Sequence, residues 1–118
     1  MNLNSIMIGS ENPQRLADYY TKIFGKPTFE DGGFSGWQVG NGFVTVGMHD
    51  QVKGKNTSPG RVMWNIESSD VKGDFQKLSD AGAKVVQEPY IPDGAPGEMW
   101  VATFSDPDNN YFQLMSSM

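Results

Sequence analysis

Gln113 is the side chain with the clearest chemical use. It lies in Tyr111 to Met115, directly after Asp106-Pro107-Asp108-Asn109-Asn110. Pro107 presets one backbone angle, and Asp106 and Asp108 can accept hydrogen bonds from nearby backbone N–H groups. Asn109-Asn110 tolerates the positive φ of a hairpin turn. The stretch therefore predicts a tight turn feeding a final strand. Tyr111, Gln113 and Met115 then share one face, and Phe112 and Leu114 share the other. An amide at Gln113 can orient a ligand by hydrogen bonds, or be one polar residue on a half-wet sheet.

Other candidates have fewer partners. His49 is the only histidine. It could act as a general base, but no orienting residue stands at a useful spacing, so a surface histidine is the plainer reading. Glu67 could bind a cation or take a proton; a solvated strand-end charge is the alternative. It shares a face with Met63 and Asn65 by alternation. Trp37 and Trp100 could each line a cleft and stack on a flat ligand, or pack in a core. Tyr90 and the Ile91 to Gly97 loop could form a flap or a plain connection. Met7, Met63 and Met115 would make a cleft apolar and adaptable. Asp106, Asp108 and Asn109 lack the following glycine and distal glutamate of a calcium loop, so a structural turn is expected there.

The positioning elements follow from hydrophobic period and punctuation. Leu3 to Gly9 reads as a strand. Asn12-Pro13 supplies an N-cap with proline at the first helical position. Leu16, Tyr19, Tyr20 and Ile23 recur at helical spacing, and Gly25 stops the helix. Pro27 to Glu30 reads as an edge strand and Gly32-Gly33 as a turn. Phe34 to Val39 and Phe43 to Met48 are strands joined across Asn41-Gly42. Residues 50–60 are polar and aperiodic, which predicts a linker. The pattern then repeats. Arg61 to Glu67 is a strand, and Asp70 caps a helix carrying Val71, Phe75 and Leu78 that Gly82 stops. Strands follow at Lys84 to Tyr90, Glu98 to Phe104 and Asn110 to Ser116.

Each half is thus βαβββ. Ser5 precedes the cap Asn12 by the same interval that separates Met63 from Asp70, and Thr45 falls opposite Gln113 in the repeat. Such a duplication predicts an α+β fold in which the two modules form a curled mixed sheet around a cleft, with helices on the outer face. Ile6, Ile8, Trp64, Ile66, Phe112 and Leu114 would face the helices. Ser5, Met63, Thr45 and Gln113 would face the cleft. The expected organisation is one domain over residues 1–118, with modules at about 1–49 and 61–118.

Composition bounds the function. The 118 residues carry a formal charge of −5, without the basic footprint that nucleic acid requires. Cysteine is absent, which excludes disulfides, thiolate nucleophiles and cysteine metal sites. Met1 to Asn4 has no leader character, and no apolar run reaches membrane-spanning length. A cytoplasmic protein that meets neither membrane nor nucleic acid is expected.

With these elements in order, the chain resembles the vicinal oxygen chelate superfamily, the glyoxalase, bleomycin-resistance and extradiol-dioxygenase group. The resemblance rests on the opening strand into Asn12-Pro13-Gln14-Arg15-Leu16-Ala17-Asp18-Tyr19-Tyr20 and Phe24-Gly25. It continues through Ser69-Asp70-Val71, Leu78, Ala81-Gly82-Ala83, Glu88-Pro89 and Asp106 to Leu114. It implies a homodimer. It also implies a divalent metal held by residues that map onto Ser5, Thr45, Met63 and Gln113. Here those are two neutral hydroxyls, a soft thioether and one amide, a poor match for a hard cation. The expectation is therefore a glyoxalase-like binding protein that takes a small organic molecule, with no cofactor and no metal at the ancestral position. The cleft candidates are Ser5, Met7, Trp37, Thr45, Met63, Asn65, Glu67, Trp100, Tyr111, Gln113 and Met115. No catalytic residue is assigned. The alternative is an enzyme (lyase, isomerase or dioxygenase-like) with a relocated metal.

Overall fold

The computed structural model describes residues 1–117; Met118, the end of the second expected module, lies outside the described residues. The chain divides into two compact units, Met1–Lys55 and Asn56–Met118. Each is a βαβββ module. The first contains β1 (Ile6–Ser10), α1 (Pro13–Phe24), β2 (Phe29–Asp31), β3 (Phe34–Val39) and β4 (Gly42–Met48). The second contains β5 (Trp64–Glu67), α2 (Val71–Asp80), β6 (Lys84–Tyr90), β7 (Val101–Ser105) and β8 (Tyr111–Met115). The sheets have the same order, β1-β4-β3-β2 and β5-β8-β7-β6. The first and last strands of each module pair in parallel, and the other pairs are antiparallel. The α+β class and the duplication expected from the sequence are both present.

The duplication is visible down to single atoms at the strand-to-helix corners. In the first unit the Ser10 hydroxyl accepts from the Asn12 backbone N–H (3.0 Å), and Asn12 Oδ1 accepts from Arg15 N–H (3.3 Å). In the second, the Ser68 hydroxyl accepts from Asp70 N–H (3.1 Å), and Asp70 Oδ1 accepts from Gly73 N–H (3.0 Å). Both serines are buried. Each corner therefore satisfies donors that a helix start leaves open.

Each helix covers one face of its own sheet. Leu16, Ala17 and Tyr20 are the buried residues of α1. Val44 and Val46 of β4 and Ile8 of β1 complete that core. In the second unit, Phe75 of α2 stacks on Phe104, and Phe104 stacks on Phe112, with centroids 5.4 Å apart in both pairs. Trp64 stacks on Phe112 at 5.2 Å. These are the faces that alternation assigns to the helices.

Several boundaries differ from the sequence reading. The first strand of each module starts late, at Ile6 and Trp64, so Ser5 and Met63 sit just ahead of their ladders. The first hairpin turns at Gly40-Asn41 rather than Asn41-Gly42: Gly40 takes the positive φ (59°), and Gly42 already pairs with Val39. The seventh strand begins at Val101, not Glu98: the preceding loop, which includes Gly97 at a left-handed φ of 61°, runs on to Trp100. The 50–60 segment is anchored by Asn56. Its N–H donates to Asp108 O (2.7 Å), its Nδ2 to Asn110 Oδ1 (3.1 Å), and its carbonyl accepts from Asn109 Nδ2 (3.0 Å).

The terminal turn is centred on the Asp106 carboxylate, which is only 3% exposed. Its Oδ1 accepts from the backbone N–H of Asp108 (2.9 Å) and of Asn110 (3.0 Å), and Asn110 Nδ2 donates to Oδ2 (3.0 Å). Asn109 supplies the positive φ (64°), as its type suggested. Removing the carboxylate strands buried donors. Asp106→Ala is expected to lower unfolding stability by roughly 2–4 kcal/mol, read from urea denaturation midpoints at unchanged slope.

Candidate functional site

Covering one face of each sheet leaves the other face as the place for function. Strand register defines which side chains meet there. In the second unit Asn65 pairs with Gln113, Gln113 with Thr103, and Thr103 with Gln87. Four strands thus contribute one row of amides and a hydroxyl. Gln113 Nε2 donates to Thr103 Oγ1 at 2.9 Å, and Thr103 is buried. This bond fixes the Gln113 side chain and leaves its carbonyl oxygen and second N–H for other partners. Asn65 is exposed beside it. The next row runs Glu67, Met115, Val101 and Tyr90. Tyr111 lies on the same face, opposite Ser105.

The matching row of the first unit has different chemistry. Met7 pairs with Thr45, Thr45 with Gly36, and Gly36 with Phe29. The register confirms that Thr45 and Gln113 are equivalent in the repeat. Gly36 is required by its neighbours. A Cβ there would stand 2.5 Å from Phe29 Cε1 and 2.7 Å from Phe43 Cε1. Those two rings lie parallel, 3° apart, with centroids at 5.8 Å. Phe34 likewise fills the space where Gly47 would carry a side chain. Phe29 and Phe34 remain 40% and 39% exposed, and Met7 48%. The centre of this face is aromatic and apolar around Thr45, with Gln38 and Asp31 as polar residues toward its edges; the Thr45 hydroxyl is 3.5 Å from the Ile6 carbonyl.

Two expected cleft residues are corrected. Trp37 pairs with buried Val44 and so points to the helix side. It is 2% exposed, its ring centroid is 5.9 Å from Tyr20, and its Nε1 donates to Gly25 O (2.9 Å). It is a core residue whose N–H ties down the end of α1. Trp100 precedes β7 and alternates with Ala102 and Phe104, which face α2. Lys72 Nζ of that helix stands 3.9 Å from its ring centroid, a cation–π contact. Its backbone is pinned to Ser116 by two bonds of 3.0 Å. Phe29, Phe34 and Phe43 belong to the aromatic face of the first unit, and no local sequence signal assigns them to it. Their signal was the pairing of bulky rings with Gly36 and Gly47 across the hairpin, legible only once the register is known.

His49 accepts from Gln51 N–H through Nδ1 (3.2 Å) and has Asp50 at 3.6 Å; both contacts are to neighbours in the chain. Among the described residues, no three His, Cys, Asp or Glu side chains are grouped to hold a metal. The donor chemistry agrees. Ser5, Thr45, Met63 and Gln113 offer no charge: two hydroxyls, one thioether and one amide, whose carbonyl oxygen is the single good hard donor among them. These residues do not fit a hard divalent cation.

Two βαβββ modules, each pairing its first and last strands in parallel and covering one sheet face with its helix, define the vicinal oxygen chelate fold. The chain belongs to the glyoxalase-like domain family, whose model matches residues 5–115. No curated protein matches significantly. Solved structures of the same fold do match. TioX from Micromonospora sp. ML1 aligns at 17% identity and a TM-score of 0.75, covering 99% of this chain and 100% of that one. A glyoxalase-related enzyme from Fulvimarina pelagi aligns at 15% identity and TM-score 0.74, over 99% and 89% of the two chains. A glyoxalase/bleomycin resistance protein/dioxygenase family enzyme from Burkholderia phytofirmans PsJN aligns at 16% identity and TM-score 0.74, over the full length of both. At these identities the likeness concerns the fold.

The reassigned tryptophan gives a direct test. Trp37→Ala is expected to cost roughly 3–5 kcal/mol in denaturant unfolding, the range for a large core side chain. Met7→Ala, on the uncovered face, is expected to cost under about 1 kcal/mol.

Proposed function

We propose that the protein binds a small organic molecule on the sheet faces that its helices do not cover, without a metal at the Ser5, Thr45, Met63 and Gln113 positions. The observation that carries this reading is the amide row of the second unit. Gln113 is held by buried Thr103 and lies next to exposed Asn65, so two amides stand side by side on the sheet face turned away from the helix. A pre-positioned amide such as Gln113 loses little freedom on binding, which is what a selective polar contact requires. Met115, Tyr111 and Glu67 flank the row and give it apolar walls and one acceptor. Met7 and Thr45 hold the equivalent positions in the first unit. Pockets for small ligands combine such walls with a few placed polar groups. No acid–base pair accompanies the amides, so binding rather than turnover is the reading they support. A homodimer belongs to this proposal through the family resemblance.

The test begins with elemental analysis of protein purified without chelator or tag, and with thermal melts across divalent ions. Sub-stoichiometric metal and an unchanged Tm are expected, since a native-state ligand must stabilise the fold. One tightly held metal per chain would overturn the metal-free reading. A thermal-shift screen of small aromatic and polar compounds is then expected to yield binders. Gln113→Leu should weaken a binder's affinity about five- to tenfold, the worth of one hydrogen bond of about 1 kcal/mol, beyond the roughly 1–3 kcal/mol of unfolding stability lost by stranding the buried Thr103 hydroxyl.

A further inference from the structure

We propose that Asn41 is a modification site, at which the folded protein converts spontaneously to aspartate and isoaspartate. The chain has eight asparagines, and only Asn41 is followed by glycine. Asn41 is exposed at the second position of the two-residue turn between β3 and β4. Its side chain enters no hydrogen bond among the described residues. Gly42 has no Cβ to shield its backbone nitrogen.

The reaction needs only water. The Gly42 backbone nitrogen loses its proton to solvent and attacks Cγ of the Asn41 carboxamide. The new N–C bond forms as the bond from Cγ to the side-chain nitrogen breaks, and ammonia leaves. The resulting five-membered succinimide is opened by water at either carbonyl. One opening gives aspartate; the other gives isoaspartate, which routes the main chain through the side-chain carbon. Nothing is oxidised or reduced.

The other asparagines lack one or more of these features. Asn12 precedes Pro13, whose nitrogen carries no proton to lose. Asn56, Asn109 and Asn110 are tied into the terminal turn by their side chains. Asn2, Asn4 and Asn65 precede Leu3, Ser5 and Ile66, whose side chains crowd the attacking nitrogen. The structure also holds a brake on Asn41. Gln38 Nε2 donates to the carbonyls of Gly40 (2.8 Å) and Gly42 (2.9 Å), clasping the turn from one side. The Val39–Gly42 pair that closes the hairpin lies at the end of its ladder, where opening is easiest. Isoaspartate would lengthen a turn whose register sets Gly36 opposite Thr45.

The test is peptide mapping by mass spectrometry of the full folded chain, held for days at mildly alkaline pH in water enriched in heavy oxygen. The peptide containing Asn41 is expected to convert first, to two products that each take up one heavy oxygen. Gly42→Ala should slow this severalfold, and Gln38→Ala, which releases the clasp, should speed it. A second sample in concentrated urea gives the unfolded rate. Conversion in urea with none in the folded chain would overturn the proposal, because the hairpin would then protect Asn41. Equal or faster conversion at another asparagine of the folded chain would overturn it as well.

Discussion

The buried carboxylate of Asp106 is the constraint on which the second module depends. Burying a charge costs free energy unless hydrogen bonds replace its water. Here two backbone N–H groups and the Asn110 amide replace it. Meeting that requirement fixes the path from β7 to β8, with Asn109 in the left-handed region. The path in turn fixes the register that places Gln113 against Thr103 and Asn65. Asn56 then docks on the outside of the same turn, so the segment entering the module is anchored where its last strand begins. One satisfied charge therefore organises the start of the module, its final hairpin and the amide row.

The helix-covered faces of the two sheets are built alike, while the uncovered faces have diverged. At equivalent positions of the row, Met7 stands against Asn65, Thr45 against Gln113, Gly36 against Thr103, and Phe29 against Gln87. One unit presents rings seated over glycine, and the other presents amides and a hydroxyl. In both cases the sheet supplies the spacing and the side chains supply the chemistry. Glycine has a specific part in the first unit. Without a Cβ at Gly36, the rings of Phe29 and Phe43 can approach the backbone and lie parallel.

Much of the fold was legible in the sequence, because the signals were local and redundant. Asn12-Pro13 and Asp70 mark both helix starts, and alternation in Tyr111 to Met115 assigns both faces of the final strand. Two βαβββ halves at matching offsets then give the topology. The tryptophans were not legible in the same way. Trp37 alternates with Ser35 and Val39, and nothing local says which side meets the helix; its pairing with Val44 decides it. Trp100 lies just outside a strand that begins at Val101 rather than at Glu98, and no local signal marks that boundary. The turn at Gly40-Asn41 shows the same limit at one-residue scale. Both adjacent dipeptides suit a hairpin, and only the ladder distinguishes them.

The two halves of one chain also separate what folding demands from what it leaves open. The corner serines Ser10 and Ser68 are buried hydroxyls, each receiving the backbone N–H of the helix cap two residues on. The caps themselves, Asn12 and Asp70, differ only in charge and perform the same bond. Replacing either buried serine would strand the part-buried backbone N–H that it receives, a cost common to both halves. The faces turned away from the helices carry less of that obligation, although Thr103 and Ser105 are buried there. Thr45 and Gln113 occupy equivalent points of their sheets, yet one hydroxyl reaches a backbone carbonyl and the other residue's amide reaches across to Thr103. Positions that the core does not use can change chemistry without loss of the fold, and this is where a shared scaffold acquires a particular function.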